Sequence, residues 1–172
     1  MKKLILSFLA IVLVVSFSNN VMAQDVSDTK SNDANAQILG AIELTVGDPL
    51  EFGGIVPGTG GTVEITPAGV RNLTTVTGVT ASVTPTAASY TVTGTGLVPY
   101  TITIPTVSFD ITNTTGSGGE TMAVTAMDCS QALASTFDAS GDDDFTVGGT
   151  LTVADGQVAG LYTGTFDVTV EY

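Results

Sequence analysis

From position 36 onward, apolar and polar residues alternate. Ala36, Ile38, Gly40, Ile42, Leu44 and Val46 fall on one side and Gln37, Glu43 and Thr45 on the other, with Leu39 and Ala41 blurring the contrast. A period of two marks a half-buried strand, and Gly47-Asp48-Pro49 ends it. Further strands are predicted over residues 50–56, 62–66, 74–83, 89–93, 100–104, 107–112, 121–127, 145–154 and 161–172. They are separated by breakers such as Pro57-Gly58-Thr59-Gly60-Gly61, Pro67-Ala68-Gly69, Gly94-Thr95-Gly96, Gly116-Ser117-Gly118-Gly119 and Asp155-Gly156. The last strand has the clearest alternation: Tyr162, Gly164, Phe166, Val168, Val170 and Tyr172 share one face, and Leu161, Thr163, Thr165, Asp167, Thr169 and Glu171 the other. Residues 131–137 are ambiguous between a loop and a short helical turn. Short strands at this spacing, with no helical period between them, predict an all-β antiparallel sandwich or barrel rather than βαβ units.

The start of the chain follows a different pattern. Met1-Lys2-Lys3 is positive, residues 4–17 are almost wholly apolar, and Val21-Met22-Ala23 closes the run with small or modest residues. That order is a secretory signal peptide, residues 1–23, cut between Ala23 and Gln24. The apolar run is shorter than the roughly 20 residues that span a bilayer, so no membrane insertion is expected after cleavage. Residues 24–35 are rich in Ser, Asp and Asn and read as a disordered leader, which leaves residues 36–172 as one domain. The expected location is outside the bacterial cytoplasm: extracellular, on the cell surface or in the periplasm.

Composition strengthens the β reading. Thr, Val and Gly dominate, and the β-branched pair is stiff at χ1 and suits a pleated surface. Charge narrows the partners. Loss of Lys2 and Lys3 with the signal peptide leaves Lys30 and Arg71 against 17 acidic residues, a net charge of −15. Such a chain repels nucleic acid and anionic lipid, because it has almost nothing with which to neutralise phosphate. Cys129 is the only cysteine. No internal disulfide is available, so the thiol is either buried and inert or bridges two chains.

The chain carries little catalytic chemistry. It has no histidine, which removes Ser-His and Cys-His nucleophilic systems and the commonest zinc ligand. No Gly-rich segment ends in Lys-Ser or Lys-Thr, so there is no phosphate-cradling loop. Asp128, Asp138, Asp142, Asp143 and Asp144 could form a glycosidase pair only beside an apolar pocket that raises one pKa, and none is marked. Asp142, Asp143 and Asp144 are the candidate metal ligands, for calcium, alongside Asp138. Against that, the spacing matches no EF-hand, adjacent residues of an extended chain point opposite ways, and a solvated acidic turn is the simpler reading. No other cofactor is expected. Tyr90, Tyr100, Tyr162 and Tyr172 fall inside strand patterns and suit a strand face better than a sugar platform. Asn72-Leu73-Thr74 and Asn113-Thr114-Thr115 match the glycosylation sequon, as chance allows in a Thr-rich chain.

Three blocks carry a resemblance: Leu50-Glu51-Phe52-Gly53-Gly54-Ile55-Val56-Pro57-Gly58 with Gly61-Thr62-Val63, then Phe145-Thr146-Val147-Gly148-Gly149-Thr150-Leu151, then residues 160–172. In this order they resemble a bacterial secreted family known as domain of unknown function 4402. That family in turn is similar to the β-sandwich major subunits of common-pilus-type (Mat/Ecp) fimbriae. The resemblance implies an immunoglobulin-like fold and assembly at the cell surface, and it transfers no catalytic residue. Gly53-Gly54 departs from it, where a single glycine before a small polar residue is expected.

Two functions remain open. One is a non-enzymatic fimbria-like structural or adhesive subunit, partnered by copies of itself or by other surface subunits, and joined by strand addition. Ile38, Gly40, Ile42 and Leu44 are then the candidate assembly strand. The simpler expectation is that residues 36–46 are the chain's own first strand. The other function is a monomeric surface or periplasmic binding module for glycan or calcium, using loops at one end of the sandwich.

Overall fold

The computed structural model describes residues 27–79, 83–116 and 119–172. The expected signal peptide, its cut and the first residues of the leader lie outside the described residues. The chain divides into two units, Met1–Gln37 and Ile38–Tyr172. In the first, residues 27–37 are exposed and carry no regular secondary structure. Lys30 and Asp28 form an ion pair at 3.0 Å. So polar a stretch has little apolar surface to bury.

The second unit is built of strands alone among the described residues: β1 (Glu43–Val46), β2 (Gly54–Val56), β3 (Gly61–Ile65), β4 (Arg71–Thr74), β5 (Thr77–Val79), β6 (Ala88–Thr93), β7 (Pro99–Thr103), β8 (Phe109–Asn113), β9 (Thr121–Cys129), β10 (Ala134–Thr136), β11 (Asp142–Val153), β12 (Tyr162–Thr163) and β13 (Thr169–Glu171). Every pairing is antiparallel. The main sheet runs β1-β6-β11-β9-β8-β12, with β3 and β4 attached beside β11. A sheet of β10-β7-β13 and a two-stranded sheet of β2-β5 complete the set. The expectation of an all-β antiparallel sandwich holds.

Strand β11, 12 residues long, is the spine. Along one edge its first half pairs with β6, from Asp142↔Thr93 to Val147↔Ala88, and its second half with β3, from Gly149↔Ile65 to Val153↔Gly61. Its other edge pairs with β9, with a register shift between Gly148 and Thr150. Gly148 sits where β6 hands over to β3, and a Cβ there would lie 2.1 Å from the Ile65 carbonyl oxygen. Only glycine fits so close an approach.

The core follows this division. One cluster joins Tyr90, Val92, Phe145 and Val147 of β6 and β11 to Tyr100 and Ile102 of β7 and to Phe137. The main sheet is therefore roofed at this end by the three-stranded sheet. The second cluster joins Val63, Ile65, Val124, Leu151 and Val153 to Phe52 and Met122. Its packing includes Ile55 of β2.

Four expectations change. Residues 131–137 contain strand β10, Ser135 opposite Tyr100, rather than a helical turn. The edge of β7 offers main-chain partners that so short a segment could not find within itself. Residues 71–74 form β4, the second arm of a hairpin with β3 around the Pro67-Ala68-Gly69 turn. The acidic run Asp142-Asp143-Asp144 is not a turn but the start of β11. The final strand is not continuous: β12 pairs with β8 and β13 with β7, so the chain crosses between sheets over residues 164–168. Its predicted faces persist. Phe166, Val168 and Val170 are half-buried against the first cluster, and Thr165, Asp167 and Thr169 are exposed.

Candidate functional site

Strand geometry splits the acidic run. Asp142 and Asp144 are exposed on one face, and Asp143 is half-buried on the other. Each carboxylate already has a protein donor. Asp144 accepts from Thr91 Oγ1 at 2.7 Å, and Asp142 lies 3.0 Å from Ser140 Oγ, whose single proton it shares with Asp138. Asp143 Oδ2 accepts from Tyr100 Oη at 2.8 Å and Gln131 Nε2 at 2.6 Å. Asp138 closes the preceding turn, accepting from the main-chain amides of Ser140, Gly141 and Asp142 and from Ser140 Oγ. The Ser140 hydroxyl and those amides hold its carboxyl below the ordinary range. Among the described residues, no three acidic or cysteine side chains are grouped as metal ligands would be.

Tyr100 is buried, with its ring stacked on Phe137 at 4.3 Å between centroids. Burial, and then the Asp143 carboxylate that its hydroxyl donates to, push its pKa from 10.0 up to about 12. Tyr90 stacks on Phe145 at 5.2 Å, and burial raises its pKa too. Both rings are core elements. Cys129 is half-buried, and burial pushes its thiol pKa up, the opposite of what a reactive thiolate requires. It lines a pocket of about 350 Å³ with Pro105, Val107, Met127 and Leu133.

Asn113 of the second sequon is 3 % exposed. Its Oδ1 accepts from the amides of Thr115 and Gly116, and its Nδ2 donates to the Ala159 carbonyl. It is a structural clamp on the loop before β12. Sequence reading had no signal for this, because the partners lie far along the chain.

The larger opening lies beside that loop. A groove of about 560 Å³ runs between residues 53–57, which include β2, and residues 157–164, which include β12. Its floor includes Ile111, Met122, Leu151 and Val153 from the main sheet, and Glu51 is its one charged lining residue. Val158 and Leu161 on its rim are 41 % and 56 % exposed. Strand β2 pairs only with β5, and β12 only with β8, among the described residues. Two strands with one bonded edge each therefore flank an apolar trough over the second core cluster.

The candidate assembly strand is divided by the fold. Leu44 lies in β1, opposite Val92 of β6, and both Ile42 and Leu44 pack on the first core cluster. Gly40 lies outside β1, with its amide donating to Thr95 Oγ1 at 2.7 Å. Ile38 is 94 % exposed, Leu39 is 37 % exposed, and residues 38–41 belong to no strand. One alternating pattern thus supplies a packed strand and, just before it, an apolar stretch left in solvent.

No curated protein and no solved structure matches the chain. The family model described as domain of unknown function (DUF4402) matches residues 42–172, the sandwich from just before its first strand to Tyr172. The chain belongs to the DUF4402 family.

Proposed function

We propose that this protein is a secreted, non-enzymatic subunit of a fimbria-like assembly on the bacterial cell surface, joined to its neighbours by strand addition. The observation that carries this reading is the apolar stretch at Ile38 and Leu39, held in solvent just ahead of β1. An exposed isoleucine in a segment that belongs to no strand is free to add to a sheet edge or an apolar slot, where main-chain hydrogen bonds supply affinity and alternate side chains supply selectivity. The acidic surface, at a formal net charge of −13 for the full chain, keeps such a subunit soluble until the specific contact forms. The non-enzymatic part is supported by the engaged carboxylates of β11 and by a cysteine whose thiol is held protonated.

The test is electron microscopy with gel filtration of material sheared from cells that express the chain. Filaments or a ladder of oligomers containing this protein are expected. A chain found only as a monomer, at every concentration, would overturn the reading.

A further inference from the structure

We infer that the groove between β2 and β12 is the acceptor for residues 36–41 of a second copy of this chain, and that the contact runs head to tail. This rests on the strand-addition reading above and names the site and the partner.

The argument begins with position. Gly40 is tied to Thr95, just past the end of β6, where Thr93 pairs with Asp142 at the start of β11. The groove lies at the other end of the same strand, where Leu151 and Val153 form part of its floor. From Asp142 to Leu151 a strand rising about 3.3 Å per residue covers roughly 30 Å. Ala36, the first residue of the arm, stands four residues from the Gly40 anchor and reaches at most about 14 Å beyond it. The arm cannot fill the groove of its own domain while β1 stays paired, so an arm seated there comes from another copy.

Chemistry agrees with position. Residues 36–41 (Ala-Gln-Ile-Leu-Gly-Ala) carry no charge, and the groove offers Glu51 as its one charged lining residue. In so acidic a chain, a contact between uncharged surfaces adds nothing to the repulsion between copies. The groove's apolar rim at Val158 and Leu161 matches an arm whose large exposed apolar side chains are Ile38 and Leu39. The flanking strands β2 and β12 each keep one edge for main-chain bonds. A donor at one end and an acceptor at the other form a heterologous contact, which does not close on itself and builds a filament.

Two variants at exposed positions separate the halves of the contact: Ile38→Asp disables the arm and Leu161→Asp disables the groove. The full exported chain is used, and melting curves confirm that each variant folds. Val158→Asp replaces Leu161→Asp if that variant melts early. Wild type should lengthen with concentration in analytical ultracentrifugation, and each variant alone should remain monomeric. An equimolar mixture should give a species of twice the monomer mass and nothing longer, because only one arm-groove pair survives. If Leu161→Asp and Val158→Asp elongate like wild type, the groove is not the acceptor, though strand addition stands. If Ile38→Asp elongates like wild type, the arm is not the donor and the strand-addition reading falls with it. A mixture that stays monomeric overturns the pairing of arm and groove.

Discussion

Asp143 and Tyr100 show how a single contact joins a half-buried carboxylate to a buried ring. Tyr100 comes from β7 and Asp143 from β11, so their hydrogen bond at 2.8 Å ties the roof to the main sheet. A hydrogen bond to a charged group contributes about 1.5–3 kcal/mol, and Tyr100→Phe should cost roughly that much while keeping the ring on Phe137. The pH dependence follows from the raised phenol. Below pH 10 both folded and unfolded chains hold the neutral form, and its contribution is complete. Between 10.0 and about 12 the unfolded chain ionises first, so stability is lost as pH rises through that window. Melting temperatures measured across the window should fall steeply for wild type and less steeply for Tyr100→Phe. Some fall should persist in the variant, because burial raises Tyr90 as well. An unchanged slope would show that Tyr100 does not carry the effect.

Among the elements, the closing segment is the most informative. Its alternation predicts which side chains face inward, and Phe166, Val168 and Val170 do. The pattern does not say that the segment changes sheets between β12 and β13. Phe166 sits in that crossing, half-buried, with its ring 5.6 Å from Phe109. Truncating a fully buried phenylalanine costs about 3–5 kcal/mol. A half-buried one should cost about 2, so Phe166→Ala should lower the denaturation midpoint clearly while Thr165→Ala leaves it almost unchanged. Equal shifts would place the inward face wrongly. The same limit explains the misjudged elements. Strand β10 and the acidic start of β11 lack a strong apolar rhythm and are strands because β7 and β6 present open edges to them.

For the whole molecule, the proposed contact is neutral while the surface is strongly acidic, with pI about 4.1. Repulsion between copies is screened by salt, with a Debye length of about 10 Å at 0.1 M, whereas an apolar strand-in-groove contact is not weakened by it. Raising sodium chloride should therefore lengthen the assemblies seen by light scattering, and lowering it should shorten them. Shortening on added salt would point to an ionic interface instead of the neutral one described above. The cluster roofed by β10-β7-β13 and the cluster under the groove both stabilise the monomer, and the groove's rim exposes the apolar side chains of Val158 and Leu161.

The β class, the positions of most strands and the inward faces were legible in the sequence, because alternation and Gly/Pro breaks are local properties of the chain. Pairing was not. Ile38 and Ile42 sit on the same side of one alternating run, yet Ile42 packs on the core and Ile38 is left 94 % exposed. Periodicity states which side of a strand is apolar; it cannot state whether another layer lies over that side. Asn113 as a clamp, the Tyr100–Asp143 link and the groove between β2 and β12 all join residues far apart in the chain. They exist only once the sheets have closed, and the tertiary structure alone decided them.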